Sequence, residues 1–397
     1  MSSTTLSCTA LSTLFACIPA TGCDFSEPSD DDVGETDTAD QDGDEDSDGD
    51  EDSDPSDDDD TSDPDTSGGS DPTEDPTDPT TDPTDPTGGS GEALPDSEFL
   101  FIHQDEGYAD SVRAYDVLTN EVRIVTDFGG STEVTGVAIH PDRSSLAIAA
   151  FHQLSDADES AGIWRVPAQG GEPQNIMPAL PGDDGEFQSV TDLVYTPDGE
   201  YVYFGHSTSY GGGTIARVAD SGGLPDLFIA TNAGCAGVSA PSLSPNGAEL
   251  IAVRDSCTDY TLAGLVTFTT PPADAGQLFL PEGDSYDLHS IAPYWLNDGT
   301  GLLYALGTRI DTDGDGLLDA QGDAIALLDF ASGQSFELVP AAPGQRIDEF
   351  AVSPDEARVV MCMGTNVVSD LVLLDLTGES AAYFMLTNDG ASCRVAW

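Results

Sequence analysis

Apolar and polar positions come in short bursts along the C-terminal three-quarters of this chain, and the bursts repeat. Five times an apolar stretch runs into a turn phrase and out again into a second apolar stretch. The phrases are His140-Pro141-Asp142, Thr196-Pro197-Asp198-Gly199, Ser244-Pro245-Asn246-Gly247, Leu296-Asn297-Asp298-Gly299 and Ser353-Pro354-Asp355. The stretches that follow them are residues 145–150, 201–204, 250–253, 301–305 and 358–362. Runs this short, rich in Val, Ile, Leu and aromatic residues and bounded by Gly, Pro and Asp, predict strands rather than helices. Proline presets φ at the first turn position, and Asp or Asn followed by Gly tolerates the reversal. A strand, a Pro-Asp-Gly turn and a strand, repeated about every fifty residues, is how a β-propeller blade is written.

With each phrase joining a first strand, A, to a second, B, the next apolar runs are third strands, C. They fall at 162–166, 214–218, 264–268, 324–329 and 371–375. Two pieces are left over. Residues 98–102, 111–116 and 121–125 match strands B, C and D without an A, and residues 393–397 match an A strand alone. Together they predict a sixth blade in which the last strand pairs with the first ones and closes the ring, removing open edges. The expected fold is therefore all-β, a six-bladed propeller over residues 96–397.

The turn phrase resembles the WD40-like (PD40) repeat of the TolB family of six-bladed propellers, over about residues 96 to 397. The pattern departs at Leu296, where Pro is missing, and at Arg143 and Glu356, where Gly is missing. The resemblance implies the fold. It does not name a task, because propellers host many unrelated ones.

Composition changes sharply upstream. Residues 24–95 carry Asp57-Asp58-Asp59-Asp60 and an Asp-Pro-Thr repeat from Asp71 to Thr87, with hardly an apolar residue. Such a segment has no core to offset the entropy of ordering, so a disordered, extended acidic stalk is expected. Residues 1–23 read as a signal peptide. The apolar run from Leu6 to Pro19 is too short to span a bilayer. It ends in Ala20-Thr21-Gly22-Cys23, which looks like a bacterial lipobox with Cys23 as the lipidated residue. The leader has no Lys or Arg, a departure from the usual basic start. The expectation is a lipid-anchored protein of the bacterial outer membrane or cell surface, or else a periplasmic or secreted one.

The chain has 75 acidic residues against 10 basic ones, and all ten are Arg. The stalk segment to Glu92 holds 30 of the acids and no Arg, so the propeller is acidic in its own right. Long-range repulsion disfavours a nucleic-acid partner. Of seven cysteines, Cys8, Cys17 and Cys23 fall in the leader, and Cys235, Cys257, Cys362 and Cys393 in the propeller. No two have CxxC spacing, which removes the usual zinc and thioredoxin-like patterns. In an exported protein four remaining cysteines suit two disulfides. The preferred pairing of three is Cys235 with Cys257 and Cys362 with Cys393, since each pair ends a B strand and begins an A strand at the same end of a blade.

One loop carries a metal signature, Asp311-Thr312-Asp313-Gly314-Asp315-Gly316-Leu317-Leu318-Asp319. Carboxylates at positions 1, 3 and 5, a backbone carbonyl at 7 and Gly at 6 are what Ca²⁺ takes from an EF-hand-like loop. The candidate ligands are Asp311, Asp313, Asp315, the Leu317 carbonyl and Asp319. Gly322 stands where the bidentate Glu belongs, and its neighbour Asp323 is the candidate substitute. The expected role of Ca²⁺ is structural.

No G-x-S-x-G is present, and there is no room for an α/β-hydrolase domain. His103, His140, His152, His206 and His289 are scattered, none in a metal spacing, and read as packing or turn residues. Trp164, Trp295 and Trp397 read as blade packing. The expected function is non-catalytic: a monomeric module binding a protein or glycan through the face that carries the B–C and D–A loops, with the lipid anchor at a membrane. Two alternatives stand beside it, a lactonase- or esterase-like hydrolase using the central channel, and a structural calcium-binding surface component.

Overall fold

The computed structural model describes residues 92–397 except 105–109, 130–131, 153–159, 178–188, 208–212, 230–236, 255–263, 271–276, 280–285, 289–290, 311–319, 366–367, 378–380 and 389. The expected signal peptide, Cys23, the acidic stalk up to Gly91, Cys235, Cys257 and Asp311–Asp319 therefore lie outside the described residues. So do most of the residues of the B–C loops.

The first three strands are β1 (Glu98–Gln104), β2 (Asp110–Asp116) and β3 (Glu121–Asp127). Blade 1 is β4 (Thr132–Ile139), β5 (Ser145–His152), β6 (Ser160–Pro167) and β7 (Gln174–Met177). Blade 2 is β8 (Ser189–Tyr195), β9 (Tyr201–Ser207), β10 (Gly213–Ala219) and β11 (Asp226–Ile229). Blade 3 is β12 (Val238–Leu243), β13 (Glu249–Arg254), β14 (Gly264–Thr269) and β15 (Gln277–Phe279). In blade 4 the innermost strand is broken into β16 (Tyr286–Leu288) and β17 (Tyr294–Trp295), both paired with β18 (Gly301–Ile310). It continues through β19 (Ala320–Asp329) and β20 (Gln334–Val339). Blade 5 is β21 (Arg346–Val352), β22 (Arg358–Thr365), β23 (Val368–Asp375) and β24 (Ala382–Met385). The last strand, β25 (Ser392–Ala396), pairs antiparallel with β1, so blade 6 has the order β25-β1-β2-β3. The ring closes as the sequence predicts.

Six apolar clusters hold the ring, one between each pair of neighbouring blades. Leu100, Ile102 and Val112 of blade 6 meet Val134, Leu146 and Ile148 of blade 1. Ala147 and Met177 of blade 1 meet Phe204 of blade 2, and the series runs on through blades 3, 4 and 5. Phe99 and Tyr115 of blade 6 then meet Val360 and Leu371 of blade 5. Each second strand is packed on both faces. Leu146, Ala147, Ile148 and Ala149 are all fully buried, which is why these strands read as unbroken apolar runs instead of alternating ones. Burying one such Leu or Ile is worth about 1.5–3 kcal/mol. The outermost strands pack on one neighbour only, and Val122, Ile124, Phe384 and Met385 there are exposed.

The A–B turns share one hydrogen-bond scheme. The Asp or Asn carboxyl or amide oxygen accepts the N–H two residues on, as in Glu200 N to Asp198 Oδ1 at 3.0 Å, Ala248 N to Asn246 Oδ1 at 2.9 Å and Ala357 N to Asp355 Oδ1 at 3.1 Å. The hydroxyl before Pro donates to the same oxygen, from Thr196, Ser244 and Ser353. His140 fills this place with its ring, Nδ1 lying 2.6 Å from Asp142 Oδ1. Hydrogen bonds from Ser144 and the His140 ring hold the Asp142 carboxyl down at about 2.

The turns need a left-handed residue whether or not it is Gly. Gly199 and Gly247 have φ of 75° and 68°, and Arg143 and Glu356 in the departing copies have 61° and 55°. A side chain there carries a conformational cost. In both cases the side chain makes contacts Gly could not. Arg143 donates from Nε to Leu94 O at 2.8 Å, and from Nη2 to Pro95 O and Glu98 O, both at 2.8 Å. Glu356 Oε1 accepts from Asn297 N at 2.5 Å, joining the turns of blades 4 and 5.

Candidate functional site

The innermost strands β4, β8, β12, β17, β21 and β25 surround the ring axis and touch in succession, β4 with β8, β8 with β12, β12 with β17, β21 with β25, and β25 with β4. Nearly every one carries a bulge near its start. Pairing slips past Thr135 in β4, Asp192 and Leu193 in β8, Ala240 and Pro241 in β12, Asp348 in β21 and Arg394 in β25. In blade 4 the same place holds the break between β16 and β17. A bulge inserts an unpaired residue and re-aims its side chain. Asp192, Ala240 and Arg394 reach it with φ of 54°, 51° and 60°.

Three of these strands bring charge to the axis. Glu349, next to the β21 bulge, places Oε2 3.6 Å from Arg394 Nη1, and that oxygen makes no hydrogen bond. The Glu349 side chain is 17% exposed. Burial pushes its carboxyl up to about 7, against the pull of Arg394 and with a push from Asp192. Asp192 is raised as well, by burial, while the Thr191 hydroxyl, donating to Oδ2 at 2.8 Å, and Arg394 draw it back. Burial disfavours the charge on Arg394, but Glu349 and Asp192 more than restore it. Blades 2 and 5 stand opposite one another in a ring of six, so the coupling of Asp192 to Glu349 crosses the channel.

On the B–C and D–A face a cavity of about 240 Å³ opens at the seam where the ring closes. It is lined by Gln104 and Asp110 at the B–C corner of blade 6, Glu133 at the start of β4, Ser369 at the start of β23, and Ala391 and Arg394 of the closing segment. Arg394 thus serves both the cavity and the channel cluster. A disulfide between Cys362 of β22 and Cys393 of β25, with Cα atoms 5.3 Å apart, staples blade 5 to blade 6 beside it. Asp348 lies close to both sulfurs, but sulfurs joined to each other offer no thiolate to a metal. Asp348 instead accepts from the Ser369 hydroxyl and pairs with Arg346, each at 2.5 Å.

Of the expected calcium ligands, only Asp323 is described. It is buried in β19, where its Oδ2 accepts the Ile347 N–H at 2.8 Å from the innermost strand of the next blade, β21. Asp110 does the same for Val134 N at 2.8 Å, and Asp370 for Gly390 N at 3.0 Å. A carboxylate at the head of strand C that holds the backbone entering the next strand A is a recurring latch between blades. His103, His140 and His206 sit apart in three blades. Burial lowers the His206 pKa, and its Nδ1 lies 3.3 Å from Thr214 Oγ1. Trp164, Trp295 and Trp397 pack on Phe128, Phe330 and Phe99 with ring centroids 5.8, 5.2 and 5.4 Å apart.

Sequence reasoning did not find Asp192, Glu349 or Arg394. They are single charged residues in different repeats, 157 and 45 positions apart along the chain, and no spacing rule links them. The one available signal was charge within innermost strands, since a buried charge is costly unless paired.

The sequence matches no protein-family model and no curated protein. Solved structures share the fold. TolB from Acinetobacter baumannii superposes with a TM-score of 0.54 at 12% identity, over 76% of this chain and 66% of that one. The chain thus spans just under two thirds of that protein's length. A chain of the nidogen/laminin complex superposes with a TM-score of 0.52 at 11% identity, over 75% of this chain and 97% of that one. With six sheets in a ring, a last strand completing the first blade and Pro-Asp turns on one face, the chain has the fold of a TolB-like six-bladed β-propeller.

Proposed function

We propose that the protein is a non-catalytic binding module of the bacterial cell envelope, capturing a protein or glycan through its B–C and D–A face. The observation that supports this reading most is the cavity at the closing seam. Every residue lining it belongs to that face or to the strand ends just beneath. The opposite face carries short, uniform turns. Function tends to sit where variable loops are displayed on a rigid frame. One structure of the same fold was determined within a complex of two proteins. The Cys362–Cys393 disulfide suits an oxidising compartment, and the lipobox-like leader suits anchorage through Cys23. Ca²⁺ on the Asp311–Asp319 loop, which belongs to the same face, would stiffen it before binding.

The test is a comparison of faces in the full chain. Gln104→Arg with Glu133→Arg, both exposed at the cavity rim, should abolish capture of an envelope protein or glycan while the circular dichroism spectrum is unchanged. Asp198→Arg with Asn246→Arg, on the turn face, should leave capture intact. The reverse result assigns binding to the wrong face. Repeating the capture in Ca²⁺ and in a chelator reads the contribution of the Asp311 loop.

A second reading, a hydrolase working in the channel, draws support from Glu349. A carboxyl raised to about 7, with a second carboxyl across the channel, suits a general acid. Turnover of any member of a lactone and ester panel, lost in Glu349→Gln, would favour it over the binding reading.

A further inference from the structure

The closing seam carries most of the chain's unrepeated chemistry. β25 is five residues long, and its one ladder is to β1, through four residue pairs interrupted at the bulge. Around it stand the disulfide to β22, the Trp397 Nε1–H donating to Asp96 O at 2.9 Å, and Arg394 reaching Glu349. The first two are indifferent to protons in the neutral range. The third is not.

We propose that Glu349, Arg394 and Asp192 form a proton-linked clasp across the channel, tightening the closure of the ring when one of the two carboxyls is protonated and loosening it when both are ionised. Two carboxyls on opposite blades act on one guanidinium, Glu349 from 3.6 Å and Asp192 through its charge, in a place where water reaches only part of each group. With both ionised, one negative charge is left without a cation in a partly dry site, and like charges face each other across the channel. With one of them protonated, the guanidinium matches the single remaining charge. Among the described residues the charged neighbours of Glu349 are few. Arg394 faces it from β25 and Asp192 from β8. On its own strand Asp348 is occupied by Arg346 and Ser369. Opposite it on β22 is Cys362, which in the disulfide does not titrate.

The sign follows from the direction of the shift. The ordinary Glu value is 4.5 and burial in the folded chain raises it to about 7. Stability from the protonated form is complete below 4.5 and is lost as pH rises through about 7. A difference of this size changes the folding equilibrium up to about 300-fold, or roughly 5 °C in Tm for a domain near 300 residues. The clasp is independent of what the outer face binds, and its test involves no ligand.

The experiment compares the full chain with Glu349→Gln, which keeps the shape and cannot ionise. General acidic self-repulsion acts on both proteins alike, so the difference between them isolates the clasp. The two melting temperatures should coincide at pH 4 and separate as pH rises, the variant melting about 5 °C higher at pH 8.5. Amide exchange at Val395 and Ala396 should slow in the variant at pH 8.5 and match the wild type at pH 4. A Tm difference that stays constant with pH overturns the proposal. Should Glu349→Gln not fold, carboxyl ¹³C NMR on the wild type decides. A glutamate carboxyl whose ¹³C shift titrates near 7 supports the clasp, and all glutamate carboxyls titrating near 4.5 overturns it.

Discussion

The turn face and the channel of this propeller solve opposite problems with the same strands. At the turns, five copies of one phrase place a carboxylate or amide over the same N–H and reach the same left-handed residue. The polar groups there face water, so each copy can drift, and it does: His140 replaces a hydroxyl, and Arg143 and Glu356 replace Gly while making new contacts between segments. At the channel, the copies share a backbone feature, the bulge, and nothing else. Thr135, Asp192, Ala240, Asp348 and Arg394 occupy it in five blades. Repetition preserves what every blade must do by itself, which is to turn. It cannot preserve what is done once per ring, which is to close and to present a single asymmetric mouth. The unrepeated residues of a repeat protein are therefore where its individual chemistry collects, and here they gather at the seam between blades 5 and 6.

The contrast can be broken at its strong side first. Removing the seam disulfide by Cys362→Ser with Cys393→Ser frees a loop spanning 31 positions in the unfolded chain. The expected loss is about 3 kcal/mol in a denaturant titration, and a dithiol reductant on the wild type should reproduce it. If reduction leaves the midpoint unchanged, the seam is held by packing and the clasp alone.

The inter-blade latches come next. Asp323→Ala leaves the buried Ile347 N–H without its acceptor, and Asp110→Ala does the same to Val134. Each should cost roughly 1–3 kcal/mol. The two lie in different seams and should add. Asp323→Asn, which keeps an acceptor oxygen, should recover most of the loss. This variant also sharpens the reading of the Asp311 loop. If Asp323→Asn lowers Ca²⁺ affinity while stability is kept, Asp323 serves the metal as well as the latch.

The smallest effect belongs to the turns. Asp198→Ala removes two hydrogen bonds in an exposed place and should cost about 1 kcal/mol, with no change in capture by the opposite face. A larger loss would mean that the turn face carries more of the ring's stability than its exposure suggests.

Much of this architecture was legible in the residues. The strand positions, the blade count, the turn face and the completion of blade 6 by residues 393–397 follow from local pattern, because a strand buried on both faces must be apolar throughout and a tight reversal must use Pro, Asp and Gly. The pairing of Cys362 with Cys393 was also within reach, since antiparallel strands put both at one end of neighbouring blades. The split of the innermost strand of blade 4 was not legible in the sequence.

The candidate site was not legible. Asp192, Glu349 and Arg394 come from strands 2, 5 and 6 of the inner ring, and their meeting depends on how far round the circle each blade is carried. The sequence by itself determined the ring, through hydrophobic burial and turn geometry, both of which act between residues close along the chain. Only the tertiary structure decided which charges face one another across the axis, where low dielectric and a single shared guanidinium turn three ordinary side chains into one coupled group.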